Sequence, residues 1–357
     1  PLSAFCLPTG EPIHLGTYFP PDDSLGRPGF VRVLRSVAAT YASRKGELVQ
    51  QGHRFVDGLK QIDAPPDGDG ASLTQELLIR AGHALLRNFD GTHGGIGAAP
   101  KFPNSAVHAL FGNIGRFDSQ EPFRRAFLLQ ARAMAAGGIY DHLGGGFARY
   151  SVDERWLIPH FEKMLYDNAQ LLAVYASAFT MTQDHTFKAV IDETITWMVR
   201  ELRDDSGGLF SSIDADSEGE EGAFYVWTPE QIGEVLGQEQ GQEFCQAYGV
   251  RRGGNFESGT SVLHRVTEDD PMVEARQKLF EARQQRVPPA TDTKVLSSHN
   301  GLAITGLVRA WEATGQDEAL ALAREIASFL EREMIQDKRI YRVFSHGRRQ
   351  LEGTLED

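Results

Sequence analysis

The chain has 357 residues, 41% of them hydrophobic, with a net charge of -13 at pH 7 and a pI near 5.4. That length can bury a substantial core in two or three structural units. The acidic balance and the lack of a basic stripe argue against nucleic acid or an anionic membrane as partner, and no apolar run reaches the roughly 20 residues of a membrane span.

No signal-peptide pattern opens the chain, so a cytoplasmic protein is expected. Cys6 and Cys245 form neither a disulfide framework nor a CxxC pair, and two buried thiols are expected. The chain starts at Pro1 without a methionine and stops at Asp357 without a stop signal, which reads as a segment of a longer protein. Nothing in the sequence sets an oligomeric state.

In chain order, Leu2 to Leu7 and Ile13 to Phe19 flank a Pro-Thr-Gly-Glu-Pro turn and predict a β-hairpin. Phe30, Val33, Leu34, Val37 and Tyr41 recur at helical spacing within 27–60. Residues 1–62 therefore form one unit, the breaker-rich stretch 63–71 a linker, and 72–357 a helical domain. Ser72 with Gln75 has capping-box spacing. Helices are expected near 104–116, 121–136, 159–181, 185–203, 271–286, 298–313 and 317–335. Another runs from Thr228, where Pro229 and Gln231 supply an N1 proline and a capping-box glutamine, to about Leu236. Short Gly-bearing breaks favour antiparallel αα-hairpins. Leu209 to Trp227 contains two alternating runs around an acidic tip, and Ile340 to Phe344 precedes a Ser-His-Gly-Arg turn. The predicted class is mainly α, a helical toroid with inserted β-hairpins; a doubly wound sheet does not fit this order.

The densest chemistry lies in residues 139 to 170, which join Gly144 to Gly146 to two histidines, several carboxylates, Arg149 and Trp156. Pro159 is expected at N1 of a helix, with His160 and Glu162 in its first turn, where the backbone dipoles favour a carboxylate. His160 and Asp167 then share one face, while Phe161, Leu165, Asn168, Leu172 and Tyr175 form the packing face. His142 with His160 is a candidate acid/base pair for epimerising or isomerising a sugar. Glycoside hydrolysis would instead use two of Asp141, Asp153, Glu162 and Asp167. Tyr150 and Trp156 offer aromatic faces for a sugar ring or pack in the core. Arg149 clamps a substrate anion or pairs with Asp153.

Lys101 sits in a proline-dense loop that leads into a helix capped by Asn104, and faces either the pocket or solvent. Asp214, Asp216 and Glu221 either approach a substrate or form a solvated tip. Their spacing opens like an EF-hand, yet Tyr225 stands where the loop's glutamate is required, so calcium is not expected. His53, His83, His93 and His108 lack zinc spacing. No nucleotide-binding glycine pattern follows a strand. No metal and no cofactor are predicted, and the expected partner is a small molecule of sugar type.

Several stretches resemble one family, the thioredoxin-domain-containing proteins that include bacterial YyaL-like proteins and vertebrate spermatogenesis-associated protein 20. They are Gly-Thr-Tyr-Phe-Pro (16–20), Ala-Pro-Lys-Phe-Pro-Asn (99–104), the 139–170 block, the acidic run from Asp214 with Phe224-Tyr-Val-Trp, Gly254-Asn-Phe-Glu, and Lys294-Val-Leu before Asn300-Gly-Leu. The resemblance implies the β-β-α end of a thioredoxin-like domain, with Pro1 at its cis-proline, joined to an (α/α)6 barrel similar to that of N-acylglucosamine 2-epimerase and several glycoside hydrolases. The family's Cys-His-Trp-Cys motif would lie upstream, and the barrel would be truncated by roughly four helices. Where the family usually carries Trp before Asn-Gly-Leu this chain has His299, onto which no role is carried, and Gly95-Ile96-Gly97-Ala98 replaces a Gly-Phe-Gly run. Three functions stand open: carbohydrate-directed catalysis of epimerase or isomerase type, thiol-disulfide exchange through an upstream site, and a non-catalytic sugar- or protein-binding module.

Overall fold

A computed structural model describes residues 3–23, 27–63, 74–117, 120–267 and 272–357. The chain divides into two units, Pro1–Ser72 and Leu73–Asp357. In the first, β1 (Ser3–Cys6) and β2 (Pro12–Gly16) pair antiparallel, and the Leu7 N–H closes the turn onto the Glu11 carbonyl. Helix α1 (Phe30–Asp63) follows and is broken at Arg44, which has φ -132° and ψ 34°. The hairpin and helix match the sequence pattern, with shorter strands. Cys6 is exposed and Cys245 half-buried, so the expectation of two buried thiols fails. Pro1 and most of the expected linker, together with Ser72, lie outside the described residues. Thr74 caps the next helix, accepting from the Leu77 N–H.

The second unit is mainly helical, with small sheets at the helix ends. Helices α2 (Gln75–Leu86), α3 (Ser105–Ile114) and α4 (Glu121–Ala136) bring Phe111, Ile114, Phe123 and Phe127 into one core. Short strands β3 (Tyr150–Ser151), β4 (Pro159–His160) and β5 (Lys163–Met164) precede the antiparallel pair α5 (Leu165–Thr182) and α6 (His185–Trp197). Then come β6 (Ser212–Ile213) and the tight hairpin β7 (Asp216–Ser217) with β8 (Glu220–Glu221). Strand β6 pairs not with that hairpin but with β5 and with β9 (Thr291–Asp292). The single hairpin expected over 209–227 is therefore confined to its acidic tip. Helix α7 (Pro229–Leu236) carries the predicted capping box, and α8 (Gln238–Ala247) was not anticipated. After α9 (Val273–Arg283), β10 (Val295–Leu296) leads into α10 (Ser297–Thr314) and α11 (Asp317–Phe329). Strands β11 (Ile335–Gln336), β12 (Arg339–Ser345) and β13 (Arg348–Glu352) follow.

An internal repeat organises this unit. A shift of 132 positions carries β5, α5 and α6 onto β10, α10 and α11: residue 163 falls on 295, 165 on 297 and 185 on 317. It also carries the π-helical turn at Met198–Leu202 onto the one at Leu330–Met334. Helices α5 and α10 pack against each other, close enough that a Cβ at Gly306 would lie 2.3 Å from the Ala169 carbonyl oxygen. Only glycine fits there.

A second repeat governs the turns. At Asp90, Asp141 and Asp204 an aspartate opens a short loop that ends in a glycine pair and an apolar residue. In each, the aspartate N–H donates to the second glycine's carbonyl, the aspartate carbonyl accepts a glycine N–H, and the carboxylate caps one or two further N–H groups. The glycines donating back, Gly94, Gly145 and Gly207, have φ of 75°, 77° and 102°, a conformation costly for other residues. Lys101 clasps the first turn, 2.6 Å from Asp90 and 3.0 Å from the Gly94 carbonyl. Lys163 clasps the second, 2.8 Å from both Asp141 and the Gly145 carbonyl. In the third the equivalent position is Val295, packed on Gly208 and Phe329.

Candidate functional site

Asn168 fixes the start of α5. Its Oδ1 accepts from the Phe147 N–H at 2.6 Å, and its Nδ2 donates to the Phe147 and Met164 carbonyls at 2.9 Å. Asn300 repeats this at the start of α10 with the Leu209 N–H at 2.8 Å and the Leu209 and Leu296 carbonyls at 3.0 Å. Two packed helices thereby present equivalent first-turn residues, Tyr166 and Asp167 on one and Ser298 and His299 on the other. The rings of Tyr166 and His299 meet with centroids 5.1 Å apart.

The helix expected from Pro159 begins at Leu165 instead. Pro159 and His160 are extended, paired with Ser151 and Tyr150, and Lys163 is drawn into the Asp141 clasp while Phe161 is buried beside Tyr225. Those anchors need extended chain, and the tertiary contacts override the N1 proline signal. His160 and Glu162 therefore lie outside the first turn, and Asp167 is its acidic residue.

Asp167 has one carboxylate oxygen, Oδ2, buried without a hydrogen-bond partner. Burial pushes its pKa up to about 7, with Arg149 pulling the other way. The Arg149 Nη1 donates to Glu162 Oε2 at 2.8 Å, so its partner is Glu162 and not Asp153, while its Nε is buried and unpaired. Tyr166 interacts with both Arg149 and Asp167.

Around this pair stand the other candidates that the fold brings together. His160 Nδ1 is 2.7 Å from Glu221 Oε1 and its Nε2 3.9 Å from Glu162 Oε2. Its ring stacks on Tyr150 at 4.9 Å, and Tyr150 on Phe102 at 4.8 Å, giving a three-ring column. Glu221 reaches this cluster from β8, with Asp216 as its cross-strand partner. Asp214 is exposed and accepts from the N–H of its own neighbour Ala215.

The remaining candidates are committed elsewhere. Lys101 is fully buried, and its three donors go to Asp90, the Gly94 carbonyl and, at 2.7 Å, the Glu154 carbonyl. Against the upward push of burial, Lys101 and the His93 and Thr92 N–H groups hold Asp90 at about 2. Trp156 is also fully buried, with its Nε1–H on the His93 carbonyl at 2.9 Å, which leaves no face for a sugar. Asp153 caps a turn through the N–H groups of Arg155, Leu157 and Ile158. The His142 Nε2 sits on the Gly137 carbonyl at 2.9 Å, and burial holds the ring at about 3, hence neutral. It shares no partner with His160.

Asp141 is committed as well. Arg283 takes both its oxygens, at 2.8 and 3.0 Å, and together with Lys163 keeps the carboxyl well below its usual range despite burial. The cavity beside His142 and Asp141 measures ≈ 30 Å³, room for a water or two. In the first unit, a cleft of ≈ 600 Å³ lined by Ile13, Tyr18, Phe19, Val33 and Val37 has no carboxylate among its described lining residues. Among the described residues no group of His, Cys, Asp and Glu is arranged to hold a metal ion, and no helix is long and apolar enough to cross a membrane. Sequence reasoning missed Tyr166, Phe102, Lys163 and Arg283. The repeated aspartate-glycine turn was the available signal for Lys163; nothing local marks the others.

Residues 1–60 match the family Thioredox_DsbH, described as a protein of unknown function, DUF255. Over 380 aligned residues the chain is 32% identical to human spermatogenesis-associated protein 20, covering 94% of this chain and 48% of that protein. The chain thus spans about half the length of the curated relatives it matches. Among solved structures, a family 76 glycoside hydrolase from a bovine Bacteroides thetaiotaomicron strain aligns with a TM-score of 0.45 and 12% identity, over 74% of this chain and 44% of that one. Cellobiose 2-epimerase from Spirochaeta thermophila aligns with a TM-score of 0.33 and 14% identity, over 78% and 92%.

Proposed function

This chain is a homologue of spermatogenesis-associated protein 20 with a thioredoxin-like DUF255 segment at its start, and from that premise we propose that its helical unit carries out acid-base chemistry on a small, uncharged, carbonyl-bearing polyol of sugar type. The observation that carries this reading is a pair of buried atoms without hydrogen-bond partners, Asp167 Oδ2 in the first turn of α5 and Arg149 Nε just ahead of β3. One is a carboxyl half-protonated near neutral pH, able to give a proton to a carbonyl oxygen. The other is a donor fit for a hydroxyl or carbonyl oxygen. Glu162 and Glu221 supply acceptors for further hydroxyls, and the Phe102, Tyr150 and His160 column offers an apolar edge to a ring. With Asp167 as acid, the reaction class is proton transfer at a carbon beside the carbonyl, as in aldose-ketose isomerisation.

The test is incubation of the protein in deuterated water with a panel of aldoses and ketoses, following loss of the C2 proton signal by NMR. Wild type incorporates deuterium into at least one sugar, and Asp167→Asn lowers that rate by about 10²–10⁴-fold. A panel in which wild type labels nothing defeats the proposal.

A further inference from the structure

We propose that His299 is the base that works opposite Asp167, so that one site is shared by the two copies of the internal repeat. The 132-position shift puts His299 on α10 where Asp167 stands on α5, and the Asn168 and Asn300 staples give both positions the same backbone frame. The two helices pack on each other, and Tyr166 touches both residues: its ring meets His299 at 5.1 Å and it interacts with Asp167. Like Asp167, His299 carries a buried polar atom without a partner, Nδ1. Histidine is poised to accept a proton.

The proposal rests on the carbon-acid reading above and assigns its second proton. The carbon-hydrogen bond next to the carbonyl breaks, its proton goes to the neutral imidazole of His299, and its electron pair forms the carbon-carbon double bond. The Asp167 carboxyl gives its proton to the carbonyl oxygen, leaving an enediol between an aspartate anion and an imidazolium. In the return, imidazolium delivers its proton to the neighbouring carbon and the other hydroxyl gives its proton back to Asp167. Exchange of the imidazolium proton with solvent introduces deuterium.

The groups facing His299 are Tyr166 from α5, Arg342 from β12, Asp292 and Asp357; burial first and Arg342 second hold it at about 4. Those facing Asp167 are Arg149, Tyr166 and Glu162, and it titrates at about 7. The rate against pH should then form a bell with limbs near those two values, since the base must be neutral and the acid protonated.

The experiment measures deuterium exchange from pH 3.5 to 9 with whichever panel sugar wild type labels, in wild type, His299→Gln, His299→Asn and Asp167→Asn. Thermal melts confirm that each variant is folded. Expected is a loss of at least about 100-fold in both His299 variants at unchanged KM, with the acid limb gone in them and the alkaline limb gone in Asp167→Asn. Exchange within threefold of wild type in a folded His299 variant overturns the role of His299 and leaves the Asp167 reading standing. So does a loss expressed in KM alone with the acid limb intact. A wild type that labels no sugar overturns both.

Discussion

Replacing Asp167 with asparagine removes one titrating group and keeps the side chain's shape. The folded carboxyl titrates at about 7, whereas an aspartate in an unfolded chain titrates near ~3.9. Between those values the native state holds a proton that the unfolded chain has released, so this group's contribution to stability is present at low pH and lost as pH rises through 7. From pH 5 to pH 7 that amounts to about two pH units at ~1.36 kcal/mol each, or ~2.5 kcal/mol. Asparagine has no such dependence. The stability of wild type minus that of Asp167→Asn should therefore fall by ~2.5 kcal/mol between pH 5 and pH 8, with the variant relatively better off at the higher pH. Urea unfolding followed by tryptophan fluorescence is the assay, because all four tryptophans lie in the Leu73–Asp357 unit and Trp156, Trp197 and Trp227 are buried. Stability curves that run parallel across this range, within ~0.5 kcal/mol, would refute the argument that Asp167 is buried and protonated.

Other perturbations probe the scaffold. Lys101→Met leaves Asp90 charged and without its cation, and should cost ~3 kcal/mol in thermal or urea melts. Asp141→Asn strips Lys163 and Arg283 of their common anion at once, and a loss of ~3–5 kcal/mol is expected; a loss under ~1 kcal/mol would mean the triad is not sealed from water. Asn168→Ala and Asn300→Ala each strand a buried N–H and C=O, so each should lower stability by ~2–4 kcal/mol in urea melts, and to a similar extent. Glu221→Gln touches a half-exposed pair and should shift stability by no more than ~1 kcal/mol.

Much of the architecture was legible where local signals agree with tertiary packing. Glu121–Ala136 matches its predicted span, and the Thr228, Pro229 and Gln231 signals place α7. The 159–164 segment misled because Pro159 followed by an amphipathic run is locally indistinguishable from a helix start. What decides it is Lys163 reaching Asp141, more than twenty residues back in the chain. The strands there are two residues long, too short for alternation to register. The site was half legible. The polar content of 139–170 pointed to His160, Glu162, Arg149 and Asp167, yet the same richness in Lys101, His142 and Trp156 serves to close turns. Composition cannot separate a lysine that binds a ligand from one that staples a loop. The 132-position repeat escaped notice because the first turns of α5 and α10 share almost no residues except the asparagine.

The three aspartate turns are alike in backbone but differ in what locks them, two by a lysine and one by Val295 against Phe329. Apolar contact weakens on cooling, whereas the desolvation cost carried by a buried ion pair eases on heating. The three turns therefore respond to temperature with opposite sign: cooling loosens the Val295 lock on the third, while heating lowers the desolvation cost of the two lysine locks.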